Sequence, residues 1–177
     1  AVRDFDTGPK VLMGQRGSKA AFMPNKFVFP GGAVDAEDRN VSLLNRPGTT
    51  CENRLLHRCD DTSPDALAVA AIREFFEETG LRIGTRVSDP KPLWNGFERD
   101  GHAPDAGNLF YFFRALTPPG RPRRFDARFF LLDASTLDDD LDDFSAASDE
   151  LSHLQWVPLP MVRSLDLPFI TSVVLGE

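Results

Sequence analysis

The sequence predicts an α/β layered domain. Three observations carry that prediction: one strong amphipathic helix over residues 64–79, short apolar strands before and after it, and 41% hydrophobic residues, enough to fill a core. A chain of 177 residues fits one domain, 1–177. Twenty-seven acidic against 20 basic side chains give a net charge of −7, which argues against a coat for long nucleic acid. The longest uninterrupted apolar run, Ala66 to Ile72, is too short to cross a bilayer, so no membrane association is expected. No signal-peptide pattern opens the chain, and two cysteines make no disulfide framework, so a reducing, cytoplasmic setting is expected. Cys51, His57 and Cys59 form a loose cluster whose spacing suits structural zinc poorly, leaving two unrelated thiols.

Arg3 to Gly8 reads as a polar turn, and the abrupt opening raises the expectation that a first strand is partly missing. Val11 to Met13 reads as a strand, as does Phe27 to Phe29, which runs into the tight turn Pro30-Gly31-Gly32. Short helical pieces are expected at Val41–Asn45 and Glu52–Arg58. Ser63 as N-cap, Pro64 at the first helical position, Asp65 near the positive end and Gly80 as the stop bound the main helix. At 100° per residue, Ala68, Val69, Ile72, Phe75, Phe76 and Thr79 share one side, whereas Glu74, Glu77 and Glu78 gather on the other. Leu109–Leu116, Ala127–Leu132 and Leu154–Leu159 read as strands, with closing helices at Pro160–Leu165 and Pro168–Leu175. Asp133 to Glu150 holds eight acids and no base, and reads as a solvated loop.

Three carboxylates at i, i+3 and i+4 repel one another, so their clustering costs stability unless something neutralises it. A hard divalent cation does so, because Mg2+ and Mn2+ prefer carboxylate oxygens. Arg73 stands four residues before Glu77, close enough to orient it. A solvated acidic helix face is the alternative on this evidence alone.

Context shifts the weight. Phe29-Pro30-Gly31-Gly32 and Arg73-Glu74-Phe75-Phe76-Glu77-Glu78-Thr79-Gly80-Leu81 together resemble the box of the Nudix family, G-x5-E-x7-R-E-U-x-E-E-x-G-U. Gly32 takes the opening glycine, and Asp38 falls where the box has its first glutamate. The box allows 7 residues between that acid and the arginine; here there are 34, an insertion at about 39–63. The run from Phe22 to Gly32, the segment Arg124 to Phe130, and Glu150 followed by Trp156-Val157-Pro158-Leu159 are similar to the long-insert branch related to coenzyme A diphosphatases. A histidine-containing segment typical of the bacterial members is replaced by Met23-Pro24-Asn25.

The resemblance implies a Nudix-type α/β/α sandwich with a mixed β-sheet and a loop-helix-loop motif. It implies hydrolysis of a diphosphate linked to another moiety, with coenzyme A or acyl-coenzyme A as the first substrate to consider. An ADP-ribose-type substrate and a non-catalytic nucleotide sensor are the alternatives. By the same resemblance, Glu74, Glu77, Glu78 and Asp38 bind Mg2+ or Mn2+. Glu77, Glu74 and Arg73 form the catalytic set, and Gly31, Gly32 and Arg128 contact substrate. The partner is a small-molecule diphosphate; a homodimer is left open.

Other residues read more plainly. Arg128 shares a strand face with Asp126 and Phe130, where it could clamp phosphate, while Arg16 and Arg124 are weaker candidates. Glu150 reads as a solvated residue, placed where some relatives carry an acid/base carboxylate. Phe97 and Phe110 to Phe113 read as core or as a substrate-stacking surface. His102 and His153 are expected at the surface, as is the run Asp138–Asp143. The acidic segment carries −8 while the rest of the chain sums to +1, and Arg121, Arg123, Arg124 and Arg128 form a basic patch just before it, compatible with a phosphorylated substrate.

Overall fold

The computed structural model describes residues 1–18, 23–57, 62–120 and 123–176. Its strands are β1 (Val2–Arg3), β2 (Lys10–Arg16), β3 (Phe27–Val28), β4 (Gly84–Arg86), β5 (His102–Pro104), β6 (Phe110–Leu116), β7 (Asp126–Leu131) and β8 (Leu151–Pro158). The α-helices are α1 (Thr49–Leu56), α2 (Pro64–Thr79) and α3 (Phe169–Val174).

β2 is the organising strand. β8 runs antiparallel along it from Lys10↔Pro158 to Arg16↔Leu151, while β1 and β3 pair with its opposite ends. A strand paired on both edges and covered on both faces has little use for alternation. Val11, Leu12 and Met13 are accordingly all buried. β4 pairs with β5, and β6 with β7, both antiparallel; the parallel contact among the described residues is the bridge Val2↔Asp133.

α2 has the bounds its sequence predicts. The Ser63 hydroxyl accepts from the Ala66 amide at 3.1 Å, and Gly80 ends the helix at φ 78°, a conformation glycine adopts without penalty. The predicted apolar side is the docked side: Ala68, Ile72, Phe75 and Phe76 enter the main core with Leu12, Leu81, Phe97 and Leu132. Phe97 is therefore core, edge-on to Phe76 at 5.2 Å between ring centroids. Phe110 and Phe112 stay exposed, and Tyr111 is buried against Phe130.

The described part of the insertion is structured. A 3-10 turn at Ala36–Asn40 precedes α1, whose Cys51 and Leu55 bury against Leu67 and Tyr111, tying α1 to α2 and to the β6–β7 pair. The helix expected at Val41–Asn45 is absent. Leu44 donates its amide to the Pro104 carbonyl and Asn45 accepts from the Ala106 amide, so the backbone bonds there run between segments. Cys51 is a buried free thiol; Cys59, the end of the predicted piece at Arg58, Phe22 and Arg121 lie outside the described residues.

The largest departure is the acidic segment 133–150. Its acids face solvent, but its apolar side chains dock it as a strap. Leu137, Leu141 and Phe144 pack against the main core. Asp139 accepts from the Arg82 amide at 2.6 Å and from its Nη1 at 2.7 Å, and Asp142 accepts from Arg3 at 2.8 Å. The acids stay at the surface as expected, Asp139 alone being half-buried, while Asp138, Asp139 and Asp142 pair with guanidinium groups. His102 departs likewise: it is 2% exposed, with Asp138 at 3.9 Å from its Nε2, whereas His153 is exposed as expected. The opening segment is strand β1 as well as turn, because the Val2 amide finds the Leu132 carbonyl.

Candidate active site

Arg73 is the hub. Its chain is 6% exposed, and its guanidinium spends all three nitrogens. Nε and Nη2 donate to the two oxygens of Asp38 at 2.8 and 3.0 Å. Nη2 also donates to the Ala33 carbonyl at 2.9 Å, and Nη1 donates to Glu74 at 2.9 Å and Glu77 at 3.2 Å. One planar fork therefore joins the glycine loop, the turn at Asp38 and the glutamates of α2. The hydrogen bonds it donates to Asp38 hold the guanidinium charged well beyond its ordinary range, against the cost of burial.

Asp38 is placed differently from the metal-ligand expectation. It is 1% exposed, and both oxygens are taken by Arg73, with the Asp35 amide a further donor at 2.7 Å. A carboxylate so enclosed positions the arginine. Sequence could not separate these roles, because the insertion removes the spacer that would have fixed the position of Asp38.

Glu78 is also buried, at 2% exposure, although helix periodicity sets it on the outer side. Its Oε2 accepts from the Gly31 amide at 2.6 Å. Burial pushes its carboxyl up to about 8; the Gly31 hydrogen bond and Arg16 oppose that, while Glu150 and Glu74 add to it. Desolvation raises Glu74 as well, with Arg73 pulling the other way. A Cβ on Gly32 would stand 2.3 Å from the Glu74 carboxyl, so any side chain there would displace that carboxylate from Arg73.

The strap finishes the site. The Ser148 amide donates to the Glu77 carbonyl at 2.8 Å, capping the end of α2, and two residues later Glu150 lies 3.5 Å from Arg16 of β2. Arg16 and Glu150 therefore belong to the cluster, by proximity that only the closed β2–β8 pair creates. Arg128 does not join the glutamates. It sits on β7 beside Asp126, 3.1 Å away, with Arg123 and Arg124 exposed, so the expected basic patch is divided. Among the described residues no three His, Cys, Asp or Glu side chains stand as a ready-made metal cage: Glu74 and Glu77 are turned to Arg73, and Glu78 to Gly31.

No protein-family model matches the chain. The crystal structure of a NUDIX hydrolase from Alicyclobacillus acidocaldarius superposes with a TM-score of 0.72 at 30% identity, covering 98% of this chain and 85% of that one. The chain belongs to the Nudix hydrolase family. That membership carries the α/β fold with it, and the resemblance read from residues 29–32 and 73–81 has a structural counterpart over almost the whole length.

Sequence relatives point the same way. A putative nudix hydrolase 7 of Caenorhabditis elegans is 30% identical over 165 residues, 85% of this chain and 47% of that protein. The acyl-coenzyme A diphosphatase NUDT19 of Gallus gallus is 28% identical over 69% of this chain, and that of Homo sapiens 29% over 70%. This Nudix chain spans about half the length of the curated relatives it matches. Among the described residues no helix is long and apolar enough to cross a membrane.

Proposed function

We propose that this Nudix chain hydrolyses a diphosphate linked to another moiety in a divalent-cation-dependent reaction, with coenzyme A or an acyl-coenzyme A as the preferred substrate class. The observation that carries the reading is the Arg73 hub, which gathers Asp38, Glu74 and Glu77 on one guanidinium beside the buried Glu78. The names of the NUDT19 relatives support the substrate class.

The donor set fits Mg2+ or Mn2+. Glu74, Glu77 and Glu78, with Glu150 nearby, hold more negative charge than Arg73 and Arg16 balance; burial is the main cause of the raised Glu78 carboxyl, and Glu150 and Glu74 add to it. Glu74, Glu77 and Glu78 would hold the cation, which would neutralise charge on the diphosphate and lower the pKa of a bound water. The chain does the rest. Asp38 locks the Arg73 fork, Arg73 fixes the carboxylates of Glu74 and Glu77, and the Gly31 amide fixes Glu78. A carboxylate of this cluster takes the proton from the attacking water. The substrate is a small molecule in the cytoplasm, and Arg128 contacts its far end.

A panel of coenzyme A, acyl-coenzyme A, ADP-ribose, dinucleoside polyphosphates and NADH, assayed with Mg2+ and Mn2+, tests the reading. Glu77→Gln is expected to lose at least about a hundredfold in kcat, consistent with loss of a group acting on the transition state, while melting as the parent does. Unchanged turnover in that variant removes Glu77 from the mechanism, and ADP-ribose as the best substrate shifts the class. Binding without turnover across the panel identifies a sensor.

A further inference from the structure

His102 opens β5 and has no part in the chemistry proposed above. Its side chain is 1% exposed, and its Nε2 is buried without a hydrogen-bond partner among the described residues. Buried polar atoms left in that state are rare. We propose that His102 is a proton-operated latch for the acidic strap: when protonated, its Nε2 donates to Asp138 and holds the strap against the β4–β5 pair. When neutral, it releases that contact.

Hydrogen positions are the first argument. Nδ1 lies 3.1 Å from the Arg99 carbonyl, and a carbonyl only accepts, so Nδ1 carries a hydrogen in either protonation state. A neutral ring then has a bare lone pair on Nε2. The carboxylate nearest to it among the described residues is Asp138, whose Oδ2 at 3.9 Å is another acceptor. One proton on Nε2 turns this pair of acceptors into a donor and a charged acceptor. The gap exceeds hydrogen-bond length, but the Asp138 side chain is 54% exposed, so a small turn of its carboxylate closes it.

Surroundings are the second argument. Arg86 stands opposite His102 in the β4–β5 register and lies 3.3 Å from the same Asp138 oxygen, so it opposes a second cation there. Arg99 and Asp100 form the preceding turn, with Asp100 3.9 Å from Arg82, which Asp139 holds from the strap. Glu98 is turned to the Leu93 amide. Contact with Nε2 is thus left to Asp138, and imidazole ordinarily ionises between about pH 5 and pH 8. The latch also has reach. From Asp138 the strap runs to Ala146, against Gly80, and to Ser148, whose amide caps Glu77.

Amide hydrogen exchange of the unliganded chain reads the latch without turnover, so its result is independent of the diphosphate reading. The test compares protection of the Ser148 amide, corrected for intrinsic exchange, between the parent and Asp138→Asn. Asn at 138 reverses the preference, because its amide donates to the bare Nε2 of a neutral ring. The parent-to-variant protection ratio should therefore fall by roughly threefold or more from pH 5.5 to pH 8. Loss of the Arg86 pair weighs equally at both pH values, and the shifted Ala1, Glu74 and Glu78 are common to both proteins. By nitrogen-15 NMR, the His102 ring should also lose its proton at a lower pH in Asp138→Asn. A ratio that stays level or rises overturns the latch. So does a ring that titrates identically in both proteins, the result a water held at Nε2 would give.

Discussion

Glu78 shows how much one carboxylate can reveal. Its bond from Gly31 joins the glycine loop to α2, yet burial leaves its charge poorly supported. In the folded chain its carboxyl sits near 8 instead of 4.5, so between those values the folded state keeps a proton that the unfolded chain has released. The Glu78 contribution to stability in chelator should therefore fall as pH rises through that window, against the opposite contribution of the buried Ala1 amino group, which is pushed down to about 5. Glu78→Gln cannot ionise and can still accept from Gly31, so from about pH 5 to pH 8 its melting temperature in EDTA should gain steadily on the parent's, the other shifted groups being common to both. At pH 8 the variant should be at least as stable as the parent while having lost its response to Mg2+. A parallel decline in both proteins would show that Glu78 carries no such cost.

Among the elements, α2 and the strap meet at Gly80. A Cβ there would stand 3.0 Å from the Ala146 side chain and 3.2 Å from its backbone, on a residue already at φ 78°. Gly80→Ala should cost about 1–3 kcal/mol in denaturant titration, combining left-handed strain with displacement of the strap. The helix itself was readable from sequence because every signal is local: Ser63, Pro64, the 3.6-residue stripe and Gly80. The arginine and its glutamates were readable for the same reason, being separated by single turns. What sequence hid depends on distance. Asp38 meets Arg73 across 35 positions, and Arg16 meets Glu150 only after β2 and β8 pair. The strap misled because its three anchors, Leu137, Leu141 and Phe144, are diluted among acids that composition assigns to water.

Across the whole molecule, the strap fastens elements that are far apart in sequence. It joins β1 through Arg3–Asp142, the segment after α2 through Arg82–Asp139, and β4 through Arg86–Asp138. The net charge of −7 thus comes largely from a structural strip rather than from a uniformly acidic surface. Arg82–Asp139 is the most enclosed of these pairs, at 15% and 16% side-chain exposure, and is reinforced by the Arg82 amide. Asp139→Ala should cost about 1.5–3 kcal/mol, as expected for hydrogen bonds to a charged group. It should also lower turnover by loosening the Ser148 bond that caps α2. A loss of stability with full activity would separate the strap from the site.

The indole of Trp156 donates to the Leu141 carbonyl at 2.8 Å, under the Arg3 guanidinium at 4.9 Å from its ring centre. Both partners belong to the strap or are tied to it, so the chain carries a built-in optical reporter of strap closure. When the strap lifts, the indole loses its carbonyl and meets water. Its emission should then move to longer wavelength and become open to iodide quenching, while Trp94, packed against Phe97, stays unchanged. A titration of substrate followed at that wavelength would show, without any label, whether the strap moves when the site fills.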